Sequence, residues 1–149
     1  ITVADCFPLF FYDRVKKNIG LAHAGWRGIV AGIVEHMIEA FAKEFRSDRH
    51  RISLGIGPGI QKCHFEVRDA AVDQFASDRI DRSFISKKEN GVYAVDLNRI
   101  IAGRAGRAGI ALIEANNTCT FCKRDAYFSY RRDKPRIPEV MLAYIGITN

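Results

Sequence analysis

"TVADCFPLFFYDRVKKNIGLAHAGWRG", residues 2–28, decides how this chain is read. Two apolar runs, 7–13 and 19–24, flank a polar stretch, "DRVKKN", and read as a β-hairpin. If its turn centres on Arg14 and Val15, paired positions sum to 29 and Cys6 faces His23. Thiol and imidazole at strand ends, beside Ala-Asp and Ala-Gly, stand where sites are commonly built. The pair admits three readings. It is a metal site, a thiol nucleophile with its base, or a buried cysteine beside a hydrogen-bonded histidine.

Outward from the hairpin, the pattern is that of one mixed domain. Ile29, Val30, Ile33, Val34, Met37, Ile38, Phe41 and Phe45 recur at helical spacing, which predicts one long helix packed on a sheet, with His36 on its polar side. Residues 51–57, 91–97 and 110–116 read as strands, residues 68–76 as a short helix, and Asp96 as the cap of a helix over 97–109. Residues 139–147 read as a closing strand. Strands and helices alternate without strict βαβ regularity, so the expected class is α/β (α+β): a single domain with a mixed β-sheet and flanking helices.

Length and composition set the outer limits. With 149 residues the chain is long enough for a proper core, and 48% hydrophobic with 27% charged residues is a soluble globular composition. No apolar run is long enough to span a bilayer, so no membrane partner is expected. Four cysteines do not make a secreted disulfide framework, and reduced thiols in a cytoplasmic protein are the expectation. The net charge of +6 permits an anionic partner, but the basic residues are scattered and match no nucleic-acid module. A solvated basic surface is the reading. The chain opens on Ile1 rather than methionine, and "ITVADC" reads as the interior of a longer sequence.

Three further stretches hold chemistry-bearing residues. In "AGWRG", glycines flank Trp26 and Arg27 where strand passes to helix, which suits an anion clamp by Arg27 and stacking by Trp26, or plain core packing. "GIGPGIQKCHFEV" matches no phosphate-binding loop, although Cys63, His64 and Glu66 are potential ligands or acid–base groups. As neighbours on a strand Cys63 and His64 point to opposite faces, so the two are not expected in one site. Cys119-Thr-Phe-Cys122 is a single C-x-x-C with no second pair in view, a weak zinc or redox signal. "FSYRRD" offers Tyr130, Arg131 and Arg132 as anion or ring contacts.

In their order, "T-V-A-D-C-F-P-L", "A-H-A-G-W-R-G", "G-P-G-I-Q-K-C-H-F-E-V", "C-T" and "F-S-Y-R-R-D" resemble the YfiH family over essentially the whole chain. That family is also called the multicopper polyphenol oxidase or laccase-domain family, and the purine nucleoside phosphorylase YfiH family. Where it carries a second cysteine, this chain has His64, and after "SYRRD" it reads "KPRIPEV" instead of a T-G-R-like stretch. The resemblance implies an α/β fold whose core is like that of a cysteine-dependent toxin deamidase. It implies a zinc site in which Cys6 and His23 are two of three ligands. The third is a histidine upstream of residue 1, so that residues 1–149 form a YfiH-like domain lacking its N-terminal portion.

The implied chemistry is phosphorolysis of adenosine, inosine, guanosine and methylthioadenosine, and deamination of adenosine. Its partners are a small purine nucleoside and phosphate, with no nucleic acid. Arg27, Arg131 and Glu66 are the candidates for binding substrate and phosphate, with the two arginines holding the phosphate, and Asp5 or Glu66 is the candidate for acid–base work. Zinc lowers the pKa of bound water to about 7, which suits attack at C6 of adenosine. Two rival readings stay open: a thiol hydrolase with Cys6 as nucleophile and His23 as base, and copper-dependent, laccase-like phenol oxidation. A multicopper cluster is histidine-rich, and beyond His23 this chain offers His36, His50 and His64.

Overall fold

The computed structural model describes residues 1–75, 80–134, 136, 137 and 139–148, the side chain of Asn90 excepted. In chain order its strands and helices are β1 (Thr2–Val3), β2 (Phe7–Asp13), β3 (Ile19–Ala24), α1 (Trp26–Ala31), α2 (Ile33–Phe45), β4 (Ile52–Ile56), β5 (Glu66–Arg68), α3 (Asp69–Val72), β6 (Ile85–Lys87), β7 (Val92–Val95), α4 (Leu97–Arg107), β8 (Leu112–Ala115), α5 (Tyr130–Asp133) and β9 (Met141–Leu142).

The central sheet is mixed, in the order β3-β2-β4-β8. β2 runs antiparallel to both β3 and β4, and β4 runs parallel to β8. Alternation along β2 buries Phe7, Leu9 and Phe11 completely. They join Val34, Ile38 and Phe41 of α2, Leu54 and Ile56 of β4, and Ile100, Ile101 and Ala105 of α4 in one core. A three-stranded antiparallel sheet, β5-β7-β6, and the short β1–β9 pair complete the fold. It is the mixed α/β architecture expected from the sequence. Among the described residues no helix is long and apolar enough to cross a membrane.

The hairpin forms with a register two positions away from the expected one. Phe7 pairs with Ala24 and Pro8 with His23, so pairs sum to 31, and the extension of the ladder sets Cys6 toward Gly25. The cause is Asp13. Its Oδ1 accepts the N–H groups of Val15 and Lys16 at 2.9 and 3.0 Å, while its backbone bonds Lys17 and Asn18. This side-chain-closed turn moves the centre of the hairpin one residue along. Side chains alternate with a period of two, so the slip leaves every residue on its expected face.

The single long helix is instead two. Gly32 stands in the left-handed region at φ 96° and ends α1 before α2 begins. Arg104 of α4 is 2% exposed and fills the notch. Its Nε donates to Glu35 Oε1 at 2.7 Å, and its Nη1 donates to the carbonyls of Ile29 and Val30 at 2.6 and 3.2 Å.

Asp96 caps α4 as expected, accepting the N–H of Arg99 at 3.1 Å. The short helix expected over 68–76 is α3 followed by one 3₁₀ turn, Asp73–Phe75, and Ala76 lies outside the described residues. The closing strand is far shorter than expected. Only Met141 and Leu142 pair, with Val3 and Thr2, and the ladder ends where Ile1 and Ala143 exchange hydrogen bonds. Beyond that point Tyr144 and Ile147 are exposed, with no described strand beside them to extend the ladder. Pro135 and Pro138 of "KPRIPEV" also fall outside the described residues.

Candidate active site

Asp5 organises the site. It is buried, with φ 80°, and its backbone carbonyl accepts the N–H of Ile60 at 2.9 Å. Its carboxylate reaches across to the far end of the chain. Oδ1 accepts from Thr120 Oγ1 and Oδ2 from the backbone N–H of Arg131, both at 2.7 Å. The carboxylate thereby draws the 119–134 region over the mouth of the β2–β3 hairpin.

Between them lies a cavity of about 420 Å³. Asp5, Cys6, Arg27, Phe65, Tyr130 and Arg131 contribute to its walls. The Arg27 guanidinium lies 4.3 Å from the centre of the Trp26 ring, and Trp26 itself stacks on Phe75 at 5.7 Å. Trp26 therefore serves both the core and the cavity. Arg131 lies over Phe65 and donates to the Glu66 carbonyl at 3.0 Å. Tyr130 keeps 58% of its surface exposed at the rim.

"SYRRD" divides its duties by position. Ser129 caps α5 by accepting the N–H of Arg132 at 3.2 Å. Arg132 points inward, donating to the carbonyls of Thr120, Phe121 and Tyr127 and pairing with Asp133 at 2.7 Å. Arg131 and Tyr130 are left for the cavity.

Burial pushes the Cys6 thiol above its ordinary range, and the neighbouring Asp5 charge pushes it further. Gly25 faces the sulfur: a Cβ at residue 25 would lie 3.1 Å from Cys6 Sγ. His23 is exposed at the end of β3, and among the described residues no hydrogen bond joins it to Cys6. Cys6 is on the cavity wall and His23 is not among the residues that line it; the two stand at the same end of the hairpin, and thiol and imidazole are both ligand types that zinc accepts. The Glu66 side chain is not among those that line this cavity. Its carboxylate pairs with Lys88 at 2.7 Å on the surface, and that bond holds its pKa below the usual carboxylate range.

A second cluster lies nearby. Cys63, His64, Cys119 and Cys122 bring their ligand atoms within 4.8 Å of one another. His64 Nδ1 is 3.2 Å from Cys63 Sγ, 3.3 Å from Cys122 Sγ and 4.0 Å from Cys119 Sγ. Burial, and then the Cys119 and Cys122 thiols, push Cys63 up to about 12. Burial acts on Cys119 in the same sense, but the N–H groups of Gln61 and Cys122 outweigh it and hold that thiol below its usual value.

A family model described as multi-copper polyphenol oxidoreductase laccase matches residues 1–147. The chain belongs to this family. It is 34% identical over 136 residues to "Purine nucleoside phosphorylase YfiH" of Escherichia coli, an alignment covering 90% of this chain and 54% of that protein. It is 35% identical over 147 residues to "Purine nucleoside phosphorylase YlmD" of Geobacillus stearothermophilus, covering 96% and 53%. The crystal structure of Bacillus licheniformis hypothetical protein YfiH superposes with a TM-score of 0.84 at 33% identity, covering 89% of this chain and 51% of that one. The chain thus spans about half the length of the curated relatives it matches.

Sequence spacing misses the second cluster because it takes Cys63 and His64 as neighbours on a strand. Residues 62–64 form a turn instead, in which His64 and Phe65 both donate to the Gln61 carbonyl. The strand alternation that separates Cys63 from His64 therefore does not apply, and the two converge. Cys119-x-x-Cys122 was the visible half of the cluster, and its partner pair sits 55 or more residues earlier in the chain.

Proposed function

We propose that this chain carries the nucleoside- and phosphate-binding part of a purine nucleoside phosphorylase, with zinc held at Cys6 and His23. The observation that carries the reading is the cavity that joins Cys6 to two arginines, Arg27 and Arg131, and to the exposed ring of Tyr130. Two guanidinium groups suit a phosphate dianion, and a ring at the rim suits a planar base. The names of the relatives point the same way.

In phosphorolysis a phosphate oxygen bonds to C1′ of the ribose while the C1′–N9 bond breaks. The electron pair leaves with the base, which takes up a proton. Arg27 and Arg131 hold and orient the phosphate; Tyr130 covers the base. Asp5 does not touch the reacting atoms in this reading: it fixes Arg131 through the backbone. Deamination of adenosine belongs to the same reading, with water replacing the C6 amine as ammonia leaves. Zinc bound there supplies Lewis acidity and lowers the pKa of a coordinated water. Catalytic zinc ordinarily takes three protein ligands, and the reading assigns the third to a histidine outside residues 1–149.

Incubating the protein with each purine nucleoside and phosphate, then resolving the products by chromatography, tests this. Free base and ribose 1-phosphate from wild type, lost in Cys6→Ala and Arg131→Ala, are expected. Turnover that persists in Cys6→Ala would sink the reading.

A further inference from the structure

We propose that Cys63, His64, Cys119 and Cys122 form a structural zinc site, separate from Cys6 and His23, that fastens the 119–134 region to the turn at 61–64. Four protein donors of one imidazole and three thiols make a closed S₃N set. That is the set of a structural site rather than of a catalytic one, which keeps a position open.

The distances match the geometry of such a site. Zinc–sulfur bonds of about 2.3 Å and zinc–nitrogen bonds of about 2.0 Å at tetrahedral angles put sulfurs about 3.8 Å apart, and nitrogen about 3.5 Å from each sulfur. Cys63 and Cys122 sulfurs are 3.8 Å apart. His64 Nδ1 lies 3.2, 3.3 and 4.0 Å from the three sulfurs, bracketing the expected separation.

The surroundings hold the ligands as supporting groups do in metal sites. The Gln61 N–H donates to Cys119 Sγ at 3.4 Å. The His64 ring lies flat on Phe121, 3.9 Å between centroids and 15° between planes, which fixes its orientation. Binding releases the three thiol protons to solvent, and Zn²⁺ with three thiolates and a neutral imidazole carries one net negative charge. Arg132 offsets it from the same loop, where it donates to the Thr120 and Phe121 carbonyls, both at 2.9 Å.

The cluster's position gives the metal its role. Gly59 bridges Cys119 across the two segments, and Thr120 donates its N–H to the Gly59 carbonyl at 3.2 Å. One residue past Cys119, Thr120 grips Asp5 Oδ1. A zinc ion here fixes the segment from which Asp5 receives one of its two side-chain bonds. The inference does not rest on nucleoside phosphorolysis, because its readout is metal binding.

The test is a cobalt(II) titration of reduced, metal-stripped protein, followed in the near ultraviolet and visible. Wild type should show thiolate-to-cobalt charge transfer and the intense d–d bands of a tetrahedral site, bleached by added zinc. Cys6→Ala should retain these bands. Cys63→Ser and Cys122→Ser should lose or weaken them, with circular dichroism reporting whether each variant is folded. His64→Cys should bind with stronger charge transfer, since it restores four donors, and His64→Ala should not. Bands that vanish in Cys6→Ala but survive in Cys63→Ser would overturn the proposal. So would wild-type cobalt uptake without thiolate bands, or a Cys63–Cys122 disulfide in place of bound metal in protein isolated under reducing conditions.

Discussion

Asp5 stands at φ 80°, where few residues other than glycine, asparagine and aspartate sit comfortably. Asp5→Asn tolerates that backbone but sets an amide N–H₂ against one of two donors, Thr120 Oγ1 or the Arg131 N–H. The expected cost is about 1–3 kcal/mol by chemical denaturation. Displacement of Arg131 should raise KM for phosphate more than KM for the nucleoside, which steady-state kinetics with each substrate varied in turn will show. Gly25 makes a separate prediction. Its φ of −76° suits alanine, but the added Cβ would press on Cys6 Sγ from 3.1 Å. Gly25→Ala should therefore leave the melting temperature nearly unchanged while lowering turnover.

Asp13 belongs to the same scale, and its effect is read through pH. Burial drives its pKa up, but the N–H groups of Lys16 and Val15 that its carboxylate accepts help to outweigh that, and it is held below the ordinary value. The unfolded chain, with a carboxyl pKa of about 3.9, thus takes up the proton first as pH falls. The stabilisation is complete above that value and is lost as pH drops through it toward the lower folded pKa. Unfolding curves collected from neutral pH down to acid should show a shallower fall for Asp13→Asn than for wild type.

At the scale of elements, the break between α1 and α2 was hidden in the sequence. The apolar spacing runs on through Gly32, because the two helices share one buried face, and only the left-handed φ of 96° reveals the break. Gly32→Ala strains that backbone by about 1–2 kcal/mol, and its Cβ would also come within 3.3 Å of Arg104 Nη2. Arg104→Met removes the guanidinium from Glu35 and from two helix-end carbonyls. It should cost about 3 kcal/mol, more than Gly32→Ala, and denaturant midpoints will rank the two. The hairpin teaches the complementary lesson. Its strands and faces were legible from alternation, whereas its register depended on how the Asp13 side chain closes the turn, which alternation does not encode.

Over the whole molecule, two ends of the chain meet at the candidate site. Residues 5 and 6 and the Arg27 region line one side of the cavity and Tyr130 and Arg131 another, and Asp5 contacts to Thr120 and Arg131 that span 115 and 126 positions join the two ends of the chain. Stripping metal from wild type should lower its melting temperature, and zinc should restore it. Both shifts should be smaller in Cys63→Ser, as differential scanning calorimetry will report. The sequence by itself determined the mixed α/β class, the hairpin, the cap at Asp96 and the family, because periodicity, turn chemistry and ordered motifs are local. Tertiary structure alone decided that Cys63 and His64 converge on Cys119 and Cys122, that Arg131 lines the cavity while Arg132 is consumed inside the loop, and that Glu66 pairs with Lys88. Those outcomes turn on which distant segments pack together, and residue spacing along one chain carries no record of that.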